Sequence, residues 1–397
     1  MPKVVIAAGH VQPLWAGHPW VFSQAIDRIE GGATAGDVID VVDPRGRFIG
    51  RGLYSPRTAI PVRIYGRRPE VALDSGFFSQ RVLDAIDRRR LLGLPSPRTD
   101  AYRVVHGEGD GLGGLIVDRF ADTLVVQLGT YGIKQREPVL LDTLVRELDA
   151  RCVVDRTPRR AALKEGFEAG TGIIRGDTHR QDLAFSERGF EFRVPLELGQ
   201  KTGYYLDQRS LRARVEQLAR GRRVLDAYCY LGSFALAAAR GGATEILAVD
   251  SSAVVLEVAA SLAERNGWLE LIHYEHSDAI DFMNRAGRGG GFEMVICDPP
   301  KLAPSPSRRG AAQSHLRRIA AAACRATRAG GLLVMCSCSA ALRMEELIRT
   351  LALGGRDVGV EVAILERWFQ APDHPVLAPF PEGLYLSSVI AQVRPAP

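Results

Sequence analysis

Residues 223–234 read Arg223-Val-Leu-Asp-Ala-Tyr-Cys-Tyr-Leu-Gly-Ser-Phe234, a short apolar run that ends in an acid and a turn. The run has the length of a buried strand, and the alanine-rich residues after it have the composition of a helix. Similar apolar runs followed by helical patterns return at 245–250, 294–298 and 331–336. Strands that alternate with helices predict an α/β fold, a doubly wound Rossmann-like domain with a parallel sheet.

Acidic residues end several of these strands, at the edge where such sheets bind ligands. Asp226 ends the first strand, Asp250 follows 24 residues later at the spacing of an acid that binds ribose, and Asp278 comes 28 residues after that. The first turn has one glycine, Gly232, where a dinucleotide fingerprint has three, so a Rossmann oxidoreductase is disfavoured. Ribose recognition without a pyrophosphate cradle predicts S-adenosylmethionine. Each aspartate alone would also suit a helix cap.

A stiff turn follows the fourth strand, in Asp298-Pro-Pro-Lys301. The two prolines, Pro299 and Pro300, each fix a φ angle, so the turn can hold a flat substrate in register beside Asp298. Enzymes that methylate exocyclic amines usually place an aromatic residue after such prolines, whereas here Lys301 follows. The turn therefore argues against amine methylation.

The fifth strand ends in Cys336-Ser-Cys-Ser339. A thiolate that adds to carbon 6 of a pyrimidine makes carbon 5 nucleophilic toward a methyl sulfonium, and Cys338 stands at the polar end of the strand where such chemistry would occur. A buried cysteine is equally a common core residue, which is our interpretation of Cys336. The remaining cysteines lack paired C-x-x-C spacing, so no metal site is expected.

The 397 residues suit more than one domain. Short β-rich runs separated by Gly, Pro and Asp turns predict a small β-barrel over 1–69. A helical pattern from Phe77 to Leu92, strand-like runs and a second helix over 135–148 predict a central α+β domain over 70–189. The Rossmann-like domain then occupies 190–397.

Composition sets the broad class. The 51 basic and 46 acidic residues leave a net charge of +5, which permits a polyanionic partner without requiring one. Only five of the basic residues are lysine, and arginine suits phosphate contacts, although coding bias explains the ratio as well. No run approaches the roughly 20 apolar residues of a membrane helix. Six cysteines in this length fit a cytoplasmic location.

Seven short motifs are spread over nearly the whole chain. They are His18-Pro-Trp-Val-Phe22, Gly109-Asp-Gly-Leu-Gly-Gly-Leu-Ile-Val-Asp-Arg119, Gln200-Lys-Thr-Gly-Tyr-Tyr-Leu-Asp-Gln-Arg209, the turn at 226–234, Asp298-Pro-Pro-Lys301, Ser337-Cys-Ser339 and Asp373-His-Pro375. Together they resemble the PUA-domain class I RNA methyltransferases that make 5-methylcytosine in large-subunit ribosomal RNA. Gly113 and Tyr205 depart from that pattern, where proline and phenylalanine are expected.

The resemblance implies a PUA domain at the N-terminus, Cys338 as the nucleophile and Asp298 as the residue that positions the base. Pro300 stands where other cytosine-C5 RNA methyltransferases carry a second cysteine. Within the 200–209 run, Lys201 is a candidate for RNA phosphate, and Gln208 and Arg209 are candidates for contacts to the cofactor or for ordering the loop. The structural alternative for this run is a turn that leads into a helix, with Asp207 as the N-cap of that helix.

Other basic and aromatic residues suit either RNA or the fold itself. Trp20 and Phe22 could stack on unpaired bases, but aromatic residues in a small β unit are more often core. Arginine pairs and triplets suit solvated faces individually and an RNA cleft as a set. They are Arg67-Arg68, Arg88-Arg89-Arg90, Arg308-Arg309 and Arg317-Arg318.

The sequence therefore predicts an S-adenosylmethionine-dependent RNA methyltransferase that acts on carbon 5 of a cytosine in large-subunit ribosomal RNA. Its predicted RNA contacts are Lys201, Arg209, Pro299, Pro300 and Lys301. The rival hypotheses are methylation of uridine C5 or a guanine nitrogen, and a non-catalytic RNA-binding assembly factor. No membrane association is expected, and a homodimer is compatible with the sequence.

Overall fold

The structure is a computed structural model that describes residues 1–198, 202–301, 309–339 and 342–396. The chain divides into two compact units. The first unit comprises Met1–Gly189, Val194–Leu206 and Pro372–Gly383, and the second comprises Phe190–Arg193, Asp207–Ala371 and Leu384–Pro397. The three-domain division at residues 69 and 189 stays a prediction.

The first unit begins with a six-stranded sheet. Its elements are β1 (Lys3–Ile6), α1 (Val11–Trp15), β2 (Trp20–Val21), β3 (Ile26–Glu30), β4 (Val38–Val42), β5 (Phe48–Tyr54) and β6 (Val62–Gly66). The strand order is β2-β6-β5-β4-β1-β3, with only β1 and β4 parallel among these pairs. Alternate apolar side chains of these strands form one buried cluster that includes Val4, Ile39, Val41 and Ile64.

A five-stranded sheet with helices follows in the same unit. Its elements are α2 (Ser75–Leu91), β7 (Ala101–His106), β8 (Leu115–Phe120), β9 (Thr123–Leu128), α3 (Tyr131–Lys134), α4 (Glu137–Leu148), β10 (Cys152–Asp155), α5 (Arg159–Glu165) and β11 (Gly172–Gly176). The order is β11-β10-β9-β8-β7. Helix α2 begins two residues before the predicted start, because the Asp74 carboxylate accepts the Phe77 N–H at 2.9 Å and caps it.

Two strands, β12 (Asp182–Glu187) and β13 (Phe190–Pro195), form a separate two-stranded sheet. The later elements are α6 (Arg209–Leu218), β14 (Arg223–Ala227), α7 (Ser233–Arg240), β15 (Glu245–Asp250), α8 (Ala253–Arg265), β16 (Ile272–His276), α9 (Ala279–Arg288), β17 (Phe292–Cys297), α10 (Arg309–Ala326), β18 (Thr327–Ser337), α11 (Met344–Asp357), β19 (Val360–Trp368) and β20 (Ser387–Pro395). No helix in the described ranges has the length and apolar character of a membrane span.

The second unit is built on a seven-stranded sheet of order β16-β15-β14-β17-β18-β20-β19. The first five strands are parallel, which confirms the doubly wound prediction, and β20 pairs antiparallel with both β18 and β19. Strands β14, β17 and β18 are buried along most of their length, because helices cover both faces of a parallel sheet. Their carboxyl ends therefore meet at one edge of the sheet.

Candidate active site

Three acidic residues meet at the carboxyl edge of the second unit. Asp226 lies in β14, Asp250 ends β15 on one side of it, and Asp298 follows β17 on the other. The Asp298 N–H donates to the Ala227 carbonyl at 3.4 Å, which ties the ends of β17 and β14 together. The strand ends thus bring together the acids that the sequence predicted for cofactor and base.

Asp226 is buried, with only 1% of its surface exposed. Its Oδ2 accepts the Ala235 N–H at 3.0 Å, and its Oδ1 has no hydrogen-bond partner among the described residues. Burial raises the pKa of Asp226 to about 8, and the charges of Asp298 and Asp250 act in the same direction. At neutral pH the carboxyl group therefore mostly holds its proton and offers one donor.

The turn after β14 holds three residues in the left-handed region, namely Tyr228 at φ 62°, Tyr230 at 49° and Gly232 at 67°. Such a conformation costs a non-glycine residue about 1–2 kcal/mol, and strain of this kind concentrates at functional sites. The turn is held by the Tyr230 N–H, which donates to the Asp250 carboxylate at 3.0 Å. A Cβ at position 232 would meet other atoms only at 3.6 Å or beyond, so the turn is shaped by its backbone and not by crowding.

Asp250 and Asp278 differ in their environments. The Asp250 carboxylate accepts the N–H groups of Tyr230 and Ser252, at 3.0 and 3.1 Å, and a carboxylate has capacity for further donors such as ribose hydroxyls. Asp278 is exposed and caps α9, since its Oδ1 accepts the Asp281 N–H at 3.0 Å. The alternative role of a helix cap is therefore observed for Asp278, and its contact to the cofactor stays a prediction.

Gln208 contacts Asp298. The Gln208 side chain donates from Nε2 to Asp298 Oδ2 at 2.5 Å, and its Oε1 accepts from the Cys336 thiol at 3.8 Å. Gln208 is also the N-cap residue of α6, the position that the alternative interpretation gave to Asp207. The Asp207 carboxylate instead accepts the Tyr385 hydroxyl at 2.6 Å.

The six cysteines differ in exposure. Cys338 is half-buried, whereas the other five are buried. Burial raises the pKa of Cys229, Cys297 and Cys336 well above the usual value of a thiol, so these three are unreactive at neutral pH. Cys338 lies one residue beyond β18, which pairs in the sheet with β17, the strand that leads to Asp298. Its role as the nucleophile stays a prediction.

The predicted RNA contacts within the described ranges differ in exposure. Pro299 is buried, Pro300 and Lys301 are exposed, and Arg209 at the start of α6 is half-buried. Lys201 lies outside the described residues. No group of metal-binding side chains occurs in the described ranges.

Two other predicted motifs lie in the first unit. Asp373 and His374 are buried there, and His374 stacks edge-on against His106 with ring centroids 5.1 Å apart. Trp20 donates its indole N–H to Glu108 at 2.7 Å and packs against Phe380. Asp373 and His374 thus lie in the interior of the first unit, whereas Trp20 is half-buried there.

Sequence reasoning missed two features of the site. The left-handed tyrosines carry no pattern in the sequence, because only glycine signals such a conformation. The pairing of Asp207 with Tyr385 joins residues that are 178 positions apart, which no local spacing reveals.

Comparison with known proteins gives the class. Residues 4–67 match the family described as PUA-like domain, and residues 167–384 match the family described as S-adenosylmethionine-dependent methyltransferase. A methyltransferase structure solved with S-adenosylhomocysteine has a TM-score of 0.85 at 18% identity, covering 99% of this chain and 100% of that one. A second structure, an S-adenosylmethionine-dependent methyltransferase from Streptococcus mutans, has a TM-score of 0.83 at 19% identity with the same coverage. The chain is an S-adenosylmethionine-dependent methyltransferase with a PUA-like domain.

Full-length relatives give the family. The chain is 35% identical over 393 residues to the ribosomal RNA large subunit methyltransferase I of Erwinia tasmaniensis, covering 98% of this chain and 99% of the relative. It is 34% identical over the same length to the enzyme of that name from Escherichia coli O139:H28, with the same coverage. The chain belongs to the family of ribosomal RNA large subunit methyltransferase I.

The residues present fit S-adenosylmethionine. The Asp226 Oδ1 atom is buried and lacks a partner among the described residues, as expected of a group that a ligand completes. Asp250 presents a carboxylate one strand away, and the strained turn at 228–232 brings backbone to the same edge. These are the residues that would hold the cofactor.

Proposed function

We propose that the protein methylates carbon 5 of a cytosine in the RNA of the large ribosomal subunit. The observation that carries the proposal is the position of Cys338, the half-buried member of six cysteines, at the end of the strand beside Asp298. Carbon 5 of a pyrimidine needs covalent activation, and Cys338 is the nucleophile that this chain offers at the site.

The reaction begins when the Cys338 thiolate adds to carbon 6 of the cytosine, which makes carbon 5 nucleophilic. S-adenosylmethionine, when bound, supplies an electrophilic methyl group to that carbon. A base then removes the proton from carbon 5, and the electron pair of that bond expels the cysteine sulfur from carbon 6. The ring regains its double bond, and the thiolate is regenerated.

The other site residues divide between cofactor and RNA. Asp226, Gly232, Asp250 and Asp278 are assigned to the cofactor, with Gln208 as a further candidate. Asp298 and the turn formed by Pro299 and Pro300 position the base. Lys301, Arg209 and Lys201 are assigned to RNA phosphates, where cations contribute affinity that falls with rising salt.

Transfer of labelled methyl groups to ribosomal RNA tests the proposal. The expected product is 5-methylcytosine, identified by mass spectrometry of the digested RNA, and naked and assembled ribosomal RNA are compared as substrates. Cys338→Ser is expected to abolish the product, and Cys152→Ser, a buried cysteine of the first unit, serves as the matched control. A Cys338→Ser enzyme that works at the wild-type rate contradicts the mechanism.

The rival hypotheses give different outcomes in the same assay. If the target is uridine C5 or a guanine nitrogen, the digested RNA contains methylated uridine or methylated guanosine and no 5-methylcytosine. If the protein neither transferred methyl groups nor bound S-adenosylmethionine in calorimetry, it would be a non-catalytic RNA-binding factor. We place the reaction in the cytoplasm, where a nucleophilic thiol stays reduced, and a homodimer stays a prediction.

A further inference from the structure

Gln208 is held between two groups of the active-site edge. It is 3% exposed, donates to the Asp298 carboxylate at 2.5 Å and accepts from the Cys336 thiol at 3.8 Å. A buried amide with a partner on each end has one orientation. If the amide were reversed, its oxygen would face the carboxylate, so both neighbours fix its direction.

The thiol on the other side reinforces this orientation. Cys336 is fully buried, and burial raises the pKa of its thiol well above the usual value, with the nearby Asp298 charge acting in the same direction. The thiol therefore keeps its proton and remains a donor to Gln208 Oε1. A chain of hydrogen bonds then runs from Cys336 through Gln208 to Asp298.

The backbone that carries Gln208 is also anchored. The Ala371 N–H donates to the Asp207 carbonyl at 2.7 Å, and the Tyr385 hydroxyl donates to the Asp207 carboxylate at 2.6 Å. Asp207 is itself buried at 6% exposure. Gln208 therefore presents its amide from a fixed point at the start of α6.

We infer that Gln208 is a positioning residue for the methyl transfer, which holds the Asp298 carboxylate as an acceptor between the cofactor strand and Cys338. Strand order supports this role, because β17 lies between β14, which carries Asp226, and β18, which leads to Cys338. The inference rests on the proposed function, because that function gives Asp298 its role of positioning the base. It assigns the effect of Gln208 to Asp298 and not to the cofactor.

Two substitutions separate the possible roles. Gln208→Met keeps the length of the side chain but removes the donor, so kcat is expected to fall about 10- to 100-fold at every pH, as for loss of a hydrogen bond to a charged group. Gln208→Glu restores a donor only while the introduced carboxyl holds its proton. Its kcat relative to wild type is therefore expected to fall as the pH rises from 6 to 8.5. Gln217→Met and Gln217→Glu, on the exposed face of the same helix, are the controls.

Binding of S-adenosylmethionine distinguishes positioning from cofactor contact. If Gln208 acts on Asp298, the calorimetric Kd for S-adenosylmethionine differs between wild type and each Gln208 variant by less than about threefold, which is below 1 kcal/mol. A large rise in Kd with unchanged kcat at saturating cofactor would overturn the inference. So would an equal loss of activity at all pH values in both variants, which indicates a role in folding alone.

Unfolding in urea tests the contact without any assay of methylation. The Gln208→Glu protein is expected to lose stability relative to Gln208→Met as the pH rises from 6 to 8.5, because the folded state holds an extra proton. If the free energies of unfolding of the two variants changed in parallel with pH, the contact between residue 208 and Asp298 would be contradicted. If wild type makes no 5-methylcytosine, the proposed function fails, and the unfolding data still decide whether Gln208 holds Asp298.

Discussion

Arg89 donates from its guanidinium to the backbone carbonyl of Asp373 at 2.7 Å, across 284 positions of the sequence. The same guanidinium forms two hydrogen bonds with the Asp110 carboxylate, at 2.6 and 2.8 Å, and a third with the Arg103 carbonyl at 2.7 Å. Arg89 is fully buried. Arg89 thus joins the Pro372–Gly383 segment to α2 and to the turn residue Asp110 of the first unit, beside the ring contacts that His374 and Phe380 make there.

Replacing Arg89 by methionine should destabilise the first unit strongly. The change leaves a buried carboxylate with fewer partners and removes a donor from the Arg103 and Asp373 carbonyls, and breaking a buried ion pair costs about 3–5 kcal/mol. The free energy of unfolding in urea measures the loss. Arg90→Met is the control, since Arg90 pairs with Asp87 on the exposed surface, where about 0–1 kcal/mol is expected. Similar losses for the two variants would contradict the role given to Arg89.

Gly109 should not tolerate a side chain. A Cβ at this position would lie 2.0 Å from the Pro375 carbonyl oxygen, which is backbone and cannot rotate away. Gly109→Ala is therefore expected to lower the free energy of unfolding by about 1–3 kcal/mol, the cost of overpacking. Gly9→Ala, which meets nothing within 4 Å, should change it by less than about 0.5 kcal/mol. A Gly109→Ala protein as stable as wild type would show that the Pro375 segment is not held there.

Alkylation with iodoacetamide should mark Cys338 first. The thiolate is the reactive form, and burial raises the pKa of Cys229, Cys297, Cys324 and Cys336. Peptide mapping by mass spectrometry during a time course at pH 8 gives the order of labelling. Urea-unfolded protein, in which every thiol is accessible, is the reference. Faster labelling of any buried cysteine in the folded protein would argue against this assignment.

The stability of the second unit should depend on the ionisation of Asp226. Its pKa is raised from 3.8 to about 8 in the folded state, so the folded protein holds a proton that the unfolded chain releases. The stabilising contribution is present at low pH and is lost as the pH rises toward 8. Asp226→Asn should therefore gain stability relative to wild type between pH 5 and 8, by up to about 1.4 kcal/mol per pH unit.

Urea unfolding at pH 5, 7 and 9 measures this difference, with Asp278→Asn as the control. Asp278 is an exposed cap, and asparagine caps helices equally well, so its stability should follow wild type at each pH. If the Asp226→Asn and wild-type curves stayed parallel across this range, Asp226 would titrate normally in the fold.

Sequence predicted the centre of the large sheet better than its edge. Strands such as β17 and β18 are continuous apolar runs because both faces are covered, and such runs are visible in a single sequence. Strand β19 alternates between partly buried and exposed residues at the end of the sheet, and it pairs antiparallel with β20, so it lacks the continuous apolar run of the central strands. It was therefore not predicted.

The roles of the clustered arginines could not be predicted from the sequence either. Arg89 belongs to a triplet that suited a solvated face or an RNA cleft, yet it is buried, whereas Arg88 is half-buried and pairs with Asp110, and Arg90 is exposed. Arg67 donates to the carbonyls of Leu14, Gly17 and His18, and Arg317 pairs with Asp357. Arg308 lies outside the described residues. The partners of these arginines are distant in sequence, so composition alone could not distinguish structural cations from those that meet phosphate.

The three-part construction of the first unit has a consequence for synthesis. A ribosome releases the chain from its N-terminus, so residues 1–206 emerge long before the Pro372–Gly383 segment is translated. Until that segment arrives, Arg89 has no Asp373 carbonyl to bind, and the N-terminal unit must wait in an incomplete form. Completion of this unit is thereby tied to synthesis of nearly the whole polypeptide, and a chain truncated before residue 372 would lack the segment that binds Arg89.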